Sequence, residues 1–177
     1  MTIYIENFET DPFPDRWIQD DTTPKWVHDA VNHLISHEYG MAWPIATWEE
    51  PPLLDGGYTI EAEVWTDEWD FPVLHPVLYL GVSGDDHVYL LPIVQGDEGF
   101  RIYWDIGGEF GSKTFEIPDY QFEDETWYVW KCFVSPDGIK FKFWISGDPE
   151  PEEWHIEDSD IPYIGNKVGI QVGMIGM

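Results

Sequence analysis

Positive charge is scarce in this sequence. Eight Lys and Arg stand against 35 Asp and Glu, a formal net charge of −27 over 177 residues. A field of that sign repels nucleic-acid phosphates and anionic lipid, which are held through basic patches, so neither a nucleic-acid nor a membrane partner is expected. It favours solubility at high concentration, divalent cations, or a salty medium that screens the self-repulsion. Cysteine is rarer still. The lone Cys132 excludes an intrachain disulfide framework and a multi-cysteine zinc site together. No apolar run approaches the roughly eighteen residues of a membrane helix, and the opening MTIYIENFET lacks the basic-then-apolar order of a secretory signal. The chain is therefore expected to start as mature, soluble protein. Gly-x-Ser-x-Gly, a phosphate loop and a dinucleotide fingerprint are all missing, which removes the usual marks of nucleophilic, nucleotide and hydride chemistry.

Aromatic residues are what the sequence has in excess. There are 11 Trp, 9 Tyr and 10 Phe, and apolar residues make up 43% of the chain, enough to bury a core and offset chain entropy. The length fits one domain spanning residues 1–177. Glycine and proline are spread along the chain rather than collected in a linker, and short alternating stretches lie between them. Tyr58, Ile60, Ala62 and Val64 alternate with Thr59, Glu61, Glu63 and Trp65, the pattern of a half-buried antiparallel strand. Strands are predicted at Pro76–Ser83, His87–Val94 and Phe100–Ile106, separated by turn compositions. Trp127–Val134 and Ile139–Ser146 flank Ser135-Pro136-Asp137-Gly138, a hairpin turn with Pro set for the first bend and Gly able to take positive φ.

In that hairpin Tyr128, Trp130, Cys132 and Val134 share one face, as do Ile139, Phe141, Phe143 and Ile145. Cys132 thus reads as inert core. Lys131, Lys140 and Lys142 fall opposite, where Glu61 and Glu63 are suitable cross-strand partners. Residues 27–39 fit a helical period through Val27, Ala30, Val31, Leu34 and Ile35, and a strand period through Val31, His33, Ile35, His37 and Tyr39. The all-β context favours strand. Lys167–Met177 puts Val168, Ile170, Val172 and Met174 on one face with mostly glycine opposite, which implies close approach of another backbone. About ten short strands with regular turn signals predict an all-β, two-sheet antiparallel sandwich or jelly roll.

The order of segments resembles the concanavalin A-like lectin/glucanase superfamily, in its laminin-G-like branch. The resemblance is carried by the opening Ile5-Glu6-Asn7-Phe8-Glu9 with Trp17, by Tyr58-Thr-Ile-Glu-Ala-Glu-Val64, and by Trp127-Tyr128 leading into the hairpin. Trp144-Ile-Ser-Gly147-Asp-Pro-Glu150-Pro151-Glu-Glu-Trp154 and the closing Gly165-Asn-Lys-Val168-Gly169-Ile170 complete it, so that the likeness spans most of the chain. It implies a concanavalin A-like sandwich and a structural calcium for which Glu6, Asn7 and Glu9 are the ligand candidates. The Phe-Asp-Asp segment that can join such a site in relatives is not found here, and no calcium-hand spacing is present. No other cofactor is expected. The family's glucanases carry Glu-x-Asp-x-x-Glu, which presents two carboxylates for retaining hydrolysis. Neither Glu61-Ala-Glu63 nor Glu68-Trp-Asp70 completes that pattern, so no catalytic residues are assigned and the protein is read as a non-enzyme.

Flat rings at a sheet face or loop rim are how lectin-like domains stack on the C–H faces of sugars, and aromatic rims equally serve protein interfaces. Trp43, Trp48, Trp65, Trp69, Tyr103 and Trp154 lie in loops or out of phase with the core stripe, and are the candidate contact residues. The histidines, including His33 and His37, match no zinc spacing. A lectin-like domain without an export signal fits a virion component that leaves its host by lysis. The expected function is therefore a virion decoration or tail-fibre protein, located on the virion or extracellular. Its partners are a second copy or other virion proteins, with glycan adhesion as a further use. The alternative is a secreted carbohydrate-binding module or glycosidase-like domain.

Overall fold

A computed structural model describes residues 17–19, 26–29, 34–37, 45–48, 56–65, 74–93, 99–118, 122–164 and 167–174, with side chains in 56–65, 76–93, 99–118, 122–164 and 167–169. The described residues form strands β1 (Trp17–Gln19), β2 (Trp26–Asp29), β3 (Leu34–His37), β4 (Ile45–Trp48), β5 (Tyr58–Val64), β6 (Leu74–Ser83) and β7 (Asp86–Ile93). They continue with β8 (Gly99–Ile106), β9 (Glu109–Glu116), β10 (Tyr128–Ser135), β11 (Gly138–Ile145), β12 (Ile156–Asp158) and β13 (Lys167–Met174). Among them there is no helix, and so none long and apolar enough to cross a membrane.

Seven strands form one sheet in the order β1-β4-β13-β6-β7-β8-β9, and four form another in the order β12-β11-β10-β5. Residues 27–39, whose period fitted helix and strand alike, hold the pair β2 and β3, with Val27 opposite Ser36 and His28 opposite Ile35. The core between the two larger sheets follows from alternation. Leu78, Leu80, Val88, Leu90, Phe100 and Ile102 point in from one sheet, and Tyr128, Trp130, Cys132, Phe141 and Phe143 from the other. Burying each large apolar side chain contributes about 1.5–3 kcal/mol. Two antiparallel layers packed this way make the molecule a β-sandwich.

Hydrogen bonds and charges tie the layers at their margins. The Tyr58 hydroxyl crosses the core to donate to the Leu80 carbonyl. At the opposite margin Lys113 of the edge strand β9 turns inward and pairs with Asp158, the last residue of the edge strand β12, and, at 3.3 Å, with Asp160 just beyond it. A charge turned inward on an edge strand also blocks that edge from pairing with another chain. Burial works to raise the Asp158 carboxyl, but the Lys113 ammonium and the backbone N–H groups of Asp160 and Ile161 hold it below its ordinary value. Cys132 is fully buried and its thiol is pushed far up by desolvation, so it is inert core. The Trp130 indole N–H is buried without an acceptor among the described residues, a cost of about 1–3 kcal/mol.

Candidate functional site

Since each sheet turns one face to the core, the outer faces are where a sandwich recognises anything. On the outer face of the seven-stranded sheet the register sets Tyr79 opposite Tyr89 and Tyr89 opposite Tyr103. Three tyrosines thus make one row across β6, β7 and β8, with ring centroids 5.3 Å and 5.4 Å apart. Such cross-strand aromatic pairs add about 0.5–1.5 kcal/mol beyond the area they bury. The row runs from Tyr79, only 4% exposed, outward to Phe110, 66% exposed and 6.0 Å from Tyr103. His87 flanks it, 5.6 Å from Tyr89 and 5.9 Å from Tyr79. Arg101 donates to the Tyr103 hydroxyl from Nη1 and to Thr114 Oγ1 from Nε, both at 2.9 Å, which fixes the guanidinium over the sheet.

Ring orientation decides what this row can offer. Tyr89 and Tyr103 stack with only 16° between their planes, and Tyr79 and Phe110 flank the pair on its two sides, so the ring faces of the row lie against one another. Side chains stand roughly perpendicular to a sheet, so the half-buried Tyr89 and Tyr103 present ring edges and hydroxyls outward, while Tyr79 is buried with Val77 and Leu91 in a second apolar cluster on this face. Burial first, then Tyr103 and Asp105, raise the Tyr89 phenol above its ordinary value; burial and then Tyr89 do the same to Tyr79. Both phenols stay protonated at neutral pH.

The outer face of the four-stranded sheet is organised by charge. Lys131 and Lys142 are directly opposed in register, a repulsive pair by itself. The segment after β11 resolves it by folding back over the sheet. Glu150 places Oε2 3.0 Å from Lys131 and Oε1 2.6 Å from Lys142. Lys131 also pairs with Glu61, its register partner, at 3.1 Å, the cross-strand pair predicted above. Glu63 is not part of that ladder: its Oε1 accepts from Ser146 Oγ at 2.6 Å. Lys140 takes Glu157 instead. The Lys142 ammonium donates to the Pro151 carbonyl at 2.7 Å and lies 4.7 Å from the Trp154 ring centroid. Both lysines hold Glu150 below the ordinary carboxylate range, Lys142 the more strongly.

The returning segment ends on His155, whose Nδ1 accepts the Phe143 N–H at 3.2 Å. Partial burial of the ring, and then the Lys142 ammonium, hold His155 below its ordinary value. A histidine disfavoured as the cation in the fold contributes stability that is complete above the unfolded value of about 6.5 and is lost as pH falls through the folded one. Urea unfolding at about pH 7.5 and about pH 5.5 is expected to show lower stability at the acid end. His155→Gln is expected to flatten that fall at a cost of about 1 kcal/mol at neutral pH. An unchanged acid slope in the variant would exclude His155 as its source.

The candidate contact residues do not form one site. Tyr103 belongs to the tyrosine row, Trp65 and Trp154 to the four-stranded side, where Trp65 is 44% exposed and packs on Trp127 while Trp154 covers Lys142. Trp48 lies in β4 opposite Trp17 and Val168. Trp43, Trp69 and the calcium candidates Glu6, Asn7 and Glu9 lie outside the described residues. Among the described residues no three His, Cys, Asp or Glu are grouped to hold a metal ion. An open hollow of about 450 Å³ beneath the β10–β11 turn is lined by Phe133, Asp137, Lys140 and Glu157, with Lys140 and Glu157 already paired. Sequence reasoning missed Tyr79, Tyr89, Phe110 and Trp127. The first two were visible as aromatics out of phase with the core stripe of their strands. The chain matches no known family model and no curated protein sequence.

Proposed function

We propose that this chain is a non-enzymatic binding domain of concanavalin A-like, jelly-roll type, a virion decoration or tail-fibre domain that assembles through protein contact, with glycan adhesion as a further use. The tyrosine row carries the reading. Tyrosine offers large, rigid contact area with a polar tip, which is what protein interfaces enrich. Rings that spend their faces on each other suit hydrogen bonding and edge packing better than stacking on a sugar ring. Phe110, exposed at the end of the row, supplies an apolar anchor of the kind that dominates interface energetics.

The test is light scattering at low and high salt. Salt screens the mutual repulsion of molecules carrying −27, so self-association is expected to appear or strengthen at high salt. Phe110→Ser, alone and with Tyr103→Ser, is expected to abolish it. The folded monomer should be preserved, since an exposed substitution at Phe110 changes stability by no more than about 0.5 kcal/mol. A monomer at all salt concentrations that binds a saccharide through Tyr103 and Phe110 would favour the carbohydrate-binding alternative. Hydrolysis of a β-glucan by the purified chain would overturn the non-enzymatic reading.

A further inference from the structure

The remaining large exposed apolar side chains of the described residues are Trp65 at 44% and Trp127 at 40%. They are not scattered. Tyr128 is paired with Val64, so Trp127, just before β10, and Trp65, just after β5, face each other across the end of the sheet. Their ring centroids are 6.3 Å apart with 35° between planes, a wedge rather than a closed stack. Glu63 lies two residues before Trp65 and hence on the same face. Its carboxylate reaches across β10 to Ser146 Oγ at 2.6 Å, and Ser146 N–H donates to the Trp127 carbonyl at 2.8 Å. A carboxylate held by Ser146 therefore shares this face with two half-exposed indoles. Glu63 Oε2 meets no donor among the described residues.

The geometry points to a recognition site for an arginine side chain of a basic partner segment, with the guanidinium stacked on Trp65 and Trp127 and hydrogen-bonded to Glu63. Arginine fits because its planar guanidinium stacks on aromatic faces while its fork pairs with a carboxylate. Charge complementarity selects a different protein over a second copy of this one. Among the described residues Lys113, Lys131, Lys140, Lys142 and Arg101 are all engaged within their own chain, and the 27 excess acids make two copies repel while drawing basic segments toward the surface from a distance. The site lies on the four-stranded sheet, away from the tyrosine row, so it stands or falls independently of the assembly face proposed above.

The test titrates the whole chain with the peptide acetyl-Gly-Arg-Gly-Arg-Gly-amide, by calorimetry and tryptophan fluorescence, against the same peptide with citrulline for arginine. The arginine peptide is expected to bind and the neutral isostere not to. Trp65→Ala and Trp127→Ala are each expected to weaken binding about fivefold; Trp127→Phe, which keeps a ring, is expected to retain most of it and guards against loss through misfolding. Glu63→Gln and Glu157→Gln change net charge equally, yet only the first is expected to weaken binding beyond the shared field effect. Equal weakening by the two, with the tryptophan variants silent, would mean attraction by bulk charge alone and overturn the site. Binding of the citrulline peptide as tightly as the arginine one would overturn it too, as would displacement of the arginine peptide by a β-glucan hexaose.

Discussion

Phe100→Ala is expected to destabilise the protein by about 3–5 kcal/mol, a large share of the roughly 5–15 kcal/mol that holds a domain folded. Phe100 on β8 is fully buried and is where the two sheets meet. Its ring lies 4.6 Å from Phe141, 5.1 Å from Phe143, 5.3 Å from Trp130 and 5.6 Å from Phe122, mostly edge-on or tilted. Removing it takes away the transfer free energy of one aromatic and leaves a cavity walled by four others. Those neighbours cannot collapse inward, because three of them stand on β10 and β11, paired to each other over their whole length. Urea unfolding checks the size of the effect, and Phe110→Ala is the control. Both residues are phenylalanines on the β8–β9 hairpin, but Phe110 is 66% exposed and buries nothing in the core, so its loss is expected to stay within about 0.5 kcal/mol. Comparable losses for the two would mean that the layers do not meet at Phe100.

The same contrast explains what could be read from the sequence. β5, β10 and β11 were legible to within a residue because alternation, burial and turn chemistry agree there: Tyr58, Ile60 and Val64 face in, and Ser135-Pro136-Asp137-Gly138 closes the hairpin. β9 was not legible. Its sequence EFGSKTFE carries Gly111, which weakens a strand, and Lys113 on the inward face. Both anomalies are settled by contacts distant in the fold. The Trp104 indole lies over Gly111 so closely that a Cβ would meet it at 2.3 Å, and Lys113 reaches Asp158 of the other sheet and Asp160 just past it. β12 is three residues long and exists through pairing with β11. For the candidate sites the missing information was register. Tyr79, Tyr89 and Tyr103 become a row, and Trp65 and Trp127 a pair, only once the alignment of neighbouring strands is known. Trp154 was visible as an out-of-phase aromatic, but its use over Lys142 depends on a backbone reversal that the composition GDPEPEEW leaves open.

Gly138→Ala is the second substitution expected to be severe, through the backbone rather than the core. Gly138 closes the β10–β11 turn opposite Ser135 with φ of +127°, a conformation that costs any L side chain on the order of 1–3 kcal/mol. A Cβ there would also stand 2.2 Å from the Asp158 carbonyl oxygen and 2.7 Å from the Ser159 Cα. These are backbone atoms that cannot swing aside, and overpacking of this kind adds roughly 1–3 kcal/mol. The displacement does not stay local. Asp158 pairs with Ile139 in the β11–β12 ladder and holds Lys113 from the edge of the opposite sheet, so pushing its backbone outward opens the margin where the layers are clamped. Gly84→Ala sets the lower bound, since Gly84 also has positive φ, +63°, in the milder left-handed helical region, and nothing within 4 Å of its Cβ position. It is expected to show the backbone cost alone, and Gly138→Ala to exceed it by at least the overpacking cost, with Lys113→Met losing part of its own effect when made on the Gly138→Ala background. Equal losses at the two glycines would place β12 farther from the hairpin turn than the ladder requires.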